Sequence, residues 1–246
     1  MNRVIVFGAT STIAAEAAAL YAARGDALHL VGRNPEKLAA LAARLSSAHP
    51  QTTAADLDDL AANERLVWRV IESLGGADVV LIAHGLLGDQ ERSEHDLGVA
   101  EQIVRTNFMS PLSLLIPLAN HFAEVHGGRL GVISTVAAER GRPRNYTYGA
   151  AKAGLNTYLQ GVRSRLYATK TTVTTIKLGP VETPMSADHP KNVFFAQPEP
   201  VAREIVAAID ARRSEVFVPK RWAAIMPVVR LTPEPLFQRL PFLSGR

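Results

Sequence analysis

The chain has 246 residues, 47% of them hydrophobic and 20% charged, with a formal net charge of +4. Those proportions belong to a globular domain and exclude global disorder, and a chain of this length buries a full core without staples. It contains no cysteine, which excludes a disulfide scaffold, a Cys-ligated zinc and a thiol nucleophile.

Residues 4–7 read as a short strand, followed by Gly8-Ala9-Thr10-Ser11 and an Ala-rich helix to Ala23 that Ser11 or Thr12 can cap. Gly25 ends that helix, and residues 27–31 read as a second strand. Asn34-Pro35-Glu36 opens the next helix, with Asn34 as cap and Pro35 in the first turn, running to about Ser46. A third strand at residues 52–55 ends at Asp56, and a helix over about 58–74 stops at Gly75-Gly76. Residues 79–83 are an unbroken apolar run, as in a strand covered on both faces. A long helix is predicted over about 99–125, bent at Pro111 and Pro117 and broken by Gly127-Gly128. A strand at 130–134, a helix at 146–168, a strand at 173–178, a helix at 201–211 and a strand at 215–218 follow.

This alternation predicts an α/β fold: a doubly wound parallel sheet with helices on both faces, in a single domain over residues 1–218. Ligands of such sheets bind beyond the carboxyl ends of the strands, so the residues after each strand carry the functional reading. The whole charge excess lies in residues 219–246, which hold five Lys/Arg against Glu234 alone. This basic tail is also rich in Trp222, Ile225, Met226, Leu231, Leu236 and Phe237. It is expected to pack on its own domain or a partner subunit, or to lie on an anionic membrane surface. Its cations are too few, and follow no recognition motif, for a nucleic-acid partner. No apolar stretch reaches about 18 residues, and the run at 4–7 is too short for a signal segment. The expectation is a soluble cytoplasmic protein, with peripheral contact of the tail at the inner membrane face as the alternative to a packed tail.

The first strand ends in Gly8-Ala9-Thr10-Ser11-Thr12-Ile13-Ala14. A tight turn into a helix N-terminus presents free N–H groups and the positive dipole end, which suits a pyrophosphate. The second strand ends in Gly32-Arg33. NAD sites place an acidic residue here for the ribose 2′-hydroxyl, whereas a nearby arginine suits a 2′-phosphate. Arg33 therefore points to NADPH/NADP over NAD. Asp56-Leu57, after the third strand, is placed to meet the adenine amino group.

Tyr148-Gly149-Ala150-Ala151-Lys152 puts a phenol and an ammonium on one helix face. A phenol is a poor acid or base at neutral pH, and a neighbouring ammonium lowers its pKa. Such a pair can pass a proton to or from a carbonyl or alcohol oxygen.

With these residues the sequence resembles the short-chain dehydrogenase/reductase family over residues 1–218, a family with a Rossmann-like sheet. Its active-site serine lies thirteen residues before the tyrosine. That count reaches Thr135 within Ile133-Ser134-Thr135-Val136-Ala137-Ala138, so the resemblance assigns the serine role to Thr135, with Ser134 as fallback. The family's asparagine, which holds a proton-relay water for the lysine, matches Asn107. Leu178-Gly179-Pro180-Val181-Glu182-Thr183-Pro184 resembles P-G-x-V-x-T, and implies that Gly179, Pro180, Val181 and Thr183 meet the nicotinamide carboxamide. Residues 185–200 then form a substrate lid. The resemblance also implies that Lys152 holds the ribose.

The sequence departs from the family pattern at three places. Thr12 and Ala14 replace two glycines of the phosphate turn, Ile82-Ala83-His84-Gly85 replaces N-N-A-G, and Thr135 replaces the serine. Ala83, His84 and Gly85 still border the cofactor floor, with His84 read as structural. No histidine shows metal-ligand spacing, so no metal is expected. Residues 83–89, 136–142 and the tail resemble the branch containing decaprenylphosphoryl-2-keto-ribose reductase, which implies a keto-sugar or lipid-linked sugar substrate. The implied function is an NADP(H)-dependent carbonyl reductase or alcohol dehydrogenase. The alternative is a non-catalytic nucleotide-binding relative serving as sensor or structural subunit. Family members form tetramers or dimers through the two long helices, which implies a homo-oligomer here.

Overall fold

The β-rich runs become seven strands: β1 (Arg3–Phe7), β2 (Ala27–Gly32), β3 (Gln51–Ala54), β4 (Val79–Ile82), β5 (Gly128–Thr135), β6 (Thr171–Leu178) and β7 (Glu215–Val218). In this computed structural model, which describes residues 1–187 and 193–240, they form one sheet in the order β3-β2-β1-β4-β5-β6-β7. Every pairing is parallel. The order reverses between β1 and β4, which opens a crevice at their carboxyl ends.

The alternation along β1 shows why both faces are covered. Val4 and Val6 point into one core with α1 (Thr12–Ala23), α2 (Pro35–Arg44) and α8 (Pro198–Asp210). Ile5 and Phe7 point into the other, with α3 (Leu60–Ser73), α6 (Ser110–Glu124) and α7 (Tyr146–Arg165). The helix starts follow side-chain chemistry. Ser11 Oγ accepts the Ala14 N–H at 3.3 Å, and Asn34 Oδ1 accepts the Lys37 N–H at 2.8 Å.

The helix predicted over 99–125 is divided. α5 (Leu97–Val104) leads through a π turn at Arg105–Met109 into α6. In a regular helix the Pro111 ring would press on the carbonyl of Asn107, four residues back; the wider turn relieves that clash. A short polar helix, α4 (Gln90–His95), precedes it, with no buried residue. The tail also folds, as α9 (Trp222–Leu231) and α10 (Glu234–Arg239). Trp222, Met226, Val229 and Phe237 bury themselves with Val136, just beyond β5.

Candidate active site

The turns after β1 and β4 meet at the point where the sheet order reverses. Gly8 has φ +76°, and a Cβ there would stand 2.6 Å from the His84 backbone nitrogen. Only glycine permits both the conformation and the approach. The Gly8 and Ala9 N–H groups both donate to the Val31 carbonyl at 2.9 Å, holding the turn against β2. Beyond it, the first N–H groups of α1, at Thr12 and Ile13, have no intrahelical partner. Ile13 buries its side chain in the core, so only its backbone is left for a ligand. The Thr10 side chain lies beside Gly32, 3.1 Å from where a Cβ would stand. Arg33 is exposed and makes no ion pair or side-chain hydrogen bond among the described residues.

Asp56 is exposed, and its Oδ1 accepts the Asp58 N–H. The Leu57 side chain is buried, while its carbonyl accepts from Asn63 Nδ2 and Ser110 Oγ. Ala83 is buried and donates its N–H to the Phe7 carbonyl. His84 Nε2 lies 2.8 Å from Ser110 Oγ. Because Ser110 gives its proton to the Leu57 carbonyl, Nε2 must carry the imidazole proton. Nδ1 is then an acceptor, and it is enclosed without a partner. Burial, then the Lys152 charge, push the His84 pKa down to about 3. These features fit a phosphorylated nucleotide: a glycine turn at a helix N-terminus, an unpaired arginine and an orphaned acceptor on the crevice floor.

β5 and α7 supply the other wall. Ser134 and Thr135 are neighbours on β5 and so point to opposite sides. Ser134 is buried, and its Oγ is enclosed without a partner. Thr135 accepts the Ala137 N–H at 3.1 Å and lies beside the Tyr148 phenol. Burial pushes the Tyr148 pKa up to about 12, and the interaction with Thr135 eases it back. Lys152 is buried, donates from Nζ to the Ile133 carbonyl at 3.1 Å, and has its pKa pushed down to about 8 by burial. The structure differs here from the expected lowering of the phenol pKa by the ammonium. Burial is the largest influence on the phenol, the Thr135 hydrogen bond works against it, and the Lys152 charge is not among the causes of the shift.

Asn107 is fully buried. Its Nδ2 donates to the Leu86 and Ile103 carbonyls at 2.6 and 2.8 Å, and its Oδ1 accepts the Leu86 N–H at 3.2 Å. A Cβ at Gly85 would stand 3.0 Å from Asn107 Oδ1 and 3.6 Å from Lys152 Nζ. Asn107 and Lys152 thus both border Gly85.

Gly179 donates its N–H to the Val218 carbonyl and is covered by the Trp222 indole. The Pro180 carbonyl accepts the Ala196 N–H, and Val181 is buried and bridges Ala196. The Thr183 N–H donates to Ser186 Oγ, which donates to the Val181 carbonyl. Of the lid predicted at 185–200, residues 188–192 lie outside the described residues, and the last three belong to the first turn of α8. Beyond the undescribed residues, Arg221 Nη2 donates to the Phe194 carbonyl at 2.7 Å.

Sequence reasoning missed the strap that joins Thr135 to Tyr148. Glu139 is buried against Lys177 at 2.6 Å, with Arg230 at 3.4 Å. Arg140 donates to the Val229 and Thr232 carbonyls, pairs with Glu234 and stacks on Phe237. The tail therefore clamps this strap. The only signal in the sequence was the cluster of charges directly after a strand end.

The family model of short chain dehydrogenases matches residues 2–193. The chain belongs to the short chain dehydrogenase family. An uncharacterized oxidoreductase of Mycobacterium tuberculosis H37Rv is 34% identical over 241 residues, covering 97% of this chain and 96% of the relative. One from Streptomyces coelicolor is 30% identical over 240 residues, covering 96% and 95%. Among solved structures, levodione reductase superposes with a TM-score of 0.82 at 22% identity, covering 91% of this chain and 98% of its own. A short chain dehydrogenase of Burkholderia cenocepacia in complex with NADP gives 0.83 at 18% identity, covering 97% of each. These two likenesses bear on the fold. The short chain dehydrogenase assignment makes this protein an oxidoreductase, and among its described residues no cluster of side chains could hold a metal ion. No helix among them is long and apolar enough to cross a membrane.

Proposed function

We propose that the protein is an NADPH-dependent reductase of ketones, working in reverse as a secondary-alcohol dehydrogenase. The observation that carries this reading is the Tyr148 phenol beside the Thr135 hydroxyl at the carboxyl edge of the sheet, with Lys152 buried one turn further along the same helix. When bound, the cofactor supplies the hydride. Gly8, Thr10, Ser11, Thr12 and the Ile13 backbone would hold its pyrophosphate, and Arg33 its 2′-phosphate. Asp56 and the Leu57 backbone would meet the adenine. Ala83, His84 and Gly85 would form the floor, with Gly179, Pro180, Val181 and Thr183 at the carboxamide.

Thr135 positions the carbonyl oxygen by a hydrogen bond, and Tyr148 gives that oxygen its proton as negative charge develops there. Lys152 holds its positive charge near the phenol and favours the phenolate left behind. Asn107 fixes the Gly85–Leu86 backbone next to Lys152 and stands where a water could resupply the proton. The branch resemblance narrows the ketone to a keto-sugar or a lipid-linked sugar. Exposed Val104, Met109 and Ile116 along α5 and α6 support a homo-oligomer built on that face. We read the tail as packed on its own domain in the cytoplasm, because Arg221 and Arg230 are engaged within the protein.

Calorimetric titration with NADPH and NADH, for the wild type and Arg33→Ala, tests the reading. NADPH should bind more tightly, and the preference should vanish in the variant. Binding of neither nucleotide would overturn it.

A further inference from the structure

Three arginines stand in the strap between Thr135 and Tyr148; Arg144 is exposed, while Arg140 and Arg142 are half-buried and differ sharply. Arg140 spends its charge inside the protein, on Glu234, two carbonyls and the Phe237 ring. Arg142 spends none. It is half-buried, yet among the described residues it makes no ion pair and no side-chain hydrogen bond. Its Nε is enclosed without an acceptor. The guanidinium is therefore partly packed and has no partner among the described residues. A guanidinium stripped of water without a carboxylate partner is costly, and burial alone lowers its pKa here.

The position of Arg142 ties it to the acid. Its carbonyl accepts the Asn145 N–H at 3.1 Å, and the Asn145 carbonyl accepts the Gly149 N–H at 2.8 Å. The turn that holds Arg142 is thus bonded directly onto the first turn of the helix that carries Tyr148. We propose that Arg142 is the anion-recognition residue of the substrate site, and that the ketone carries a carboxylate or phosphate group which the guanidinium fork binds. The planar fork matches either group with two parallel hydrogen bonds. This deepens, and rests on, the reading of the protein as a ketone reductase.

The test compares levulinate with methyl levulinate, and dihydroxyacetone phosphate with dihydroxyacetone, in the wild type, Arg142→Met and Arg142→Lys. Methionine replaces the side-chain stem without the charge, and lysine keeps the charge without the fork. Urea unfolding confirms that each variant folds. Two readouts are taken: kcat/KM with NADPH, and calorimetric binding of the four compounds to the protein with NADP present. The wild type should favour the anionic member of each pair by roughly 10-fold or more, the worth of a charge-assisted hydrogen bond. Arg142→Met should lose that preference through KM, Arg142→Lys should keep part of it, and added guanidinium should partly restore the Met variant. The ratio between the levulinate and phosphate pairs tells which anion is preferred. Reduction of the neutral ketones with no Arg142-dependent anion binding would overturn the proposal alone. Arg142-dependent anion binding without reduction of any ketone would uphold anion recognition and overturn the reductase reading. Failure of both anions to bind the wild type would overturn the proposal.

Discussion

The Arg140 guanidinium lies 3.8 Å over the centre of the Phe237 ring. This contact joins the strap between Thr135 and Tyr148 to the last described helix, and Phe237 is only 1% exposed. Phe237→Ala should lower stability by about 3–5 kcal/mol, as for other large core truncations, with cation–π attraction adding to the packing loss. Because the strap sets the distance between the two hydroxyls, kcat should fall as well. Urea unfolding and steady-state kinetics check both. A loss below about 1 kcal/mol, well under that core-truncation range, would make the tail a passive cover.

Acid should destabilise the protein through histidines that are kept neutral. Burial pushes the His29 pKa down to about 4 and that of His84 down to about 3. Ser73 Oγ donates to the Val70 carbonyl, so His29 donates from Nδ1 to Ser73 and accepts at Nε2 from Thr53. An added proton would break that second bond. Below about pH 6.5, the ordinary value, the unfolded chain takes up protons that the native state refuses. Stability should therefore fall as pH drops from about 6.5 towards 4, by up to about 1.4 kcal/mol per pH unit for each histidine. Urea midpoints across this window measure the slope, and His29→Gln should remove one histidine's share of it. An unchanged slope would show that His29 is not a contributor.

Two glycines with the same backbone conformation separate strain from contact. Gly8 and Gly25 have φ +76° and +75°. A Cβ at Gly25 would meet nothing within 4 Å, whereas one at Gly8 would stand 2.6 Å from the His84 nitrogen. Gly25→Ala should cost about 1–2 kcal/mol, the left-handed penalty alone. Gly8→Ala should cost clearly more and should also abolish nucleotide binding, since the turn must move off β4. Thermal unfolding together with NADPH calorimetry measures both effects. Equal stability losses in the two variants would mean that the β1 and β4 turns yield without cost.

Much of this was legible in the sequence, for local reasons. Ser11, Asn34 and Gly75-Gly76 act on their immediate neighbours, so the helix ends they mark are found where expected. The spacing of Tyr148 and Lys152 needs only a helix to bring them together. What escaped was non-local or ambiguous. A π turn at Arg105–Met109 has the same residue preferences as the helices around it, and only Pro111 hints at it. α9 and α10 were hidden by Pro227, Pro233 and Pro235, which read as breakers although two of the three sit at the start of α10. The contact of Arg140 with Phe237 spans two distant parts of the chain, and no periodicity encodes it. The spacing of Tyr148 and Lys152 shows the ammonium but not the burial, which is the first cause of the upward shift of the phenol pKa.

Which hydroxyl serves the carbonyl is decided by a set of three substitutions. Thr135 is half-buried beside Tyr148, and Ser134 points the other way into a closed site where its Oγ has no partner. Thr135→Val keeps the shape and removes the donor, so kcat should fall by roughly 10²-fold, the usual effect of losing one such donor. Thr135→Ser keeps the hydroxyl and frees its rotamers, so activity should stay within about tenfold; the extra freedom at χ1 works against alignment. Ser134→Ala removes an unpaired polar atom from the core, which should leave kcat unaltered and stability equal or higher. Single-turnover reduction rates, with NADPH affinity measured alongside, separate the chemical step from binding. A collapse of the rate in Ser134→Ala with Thr135→Val unaffected would transfer the role to Ser134, and would mean that β5 shifts its register by one residue at its carboxyl end when substrate binds.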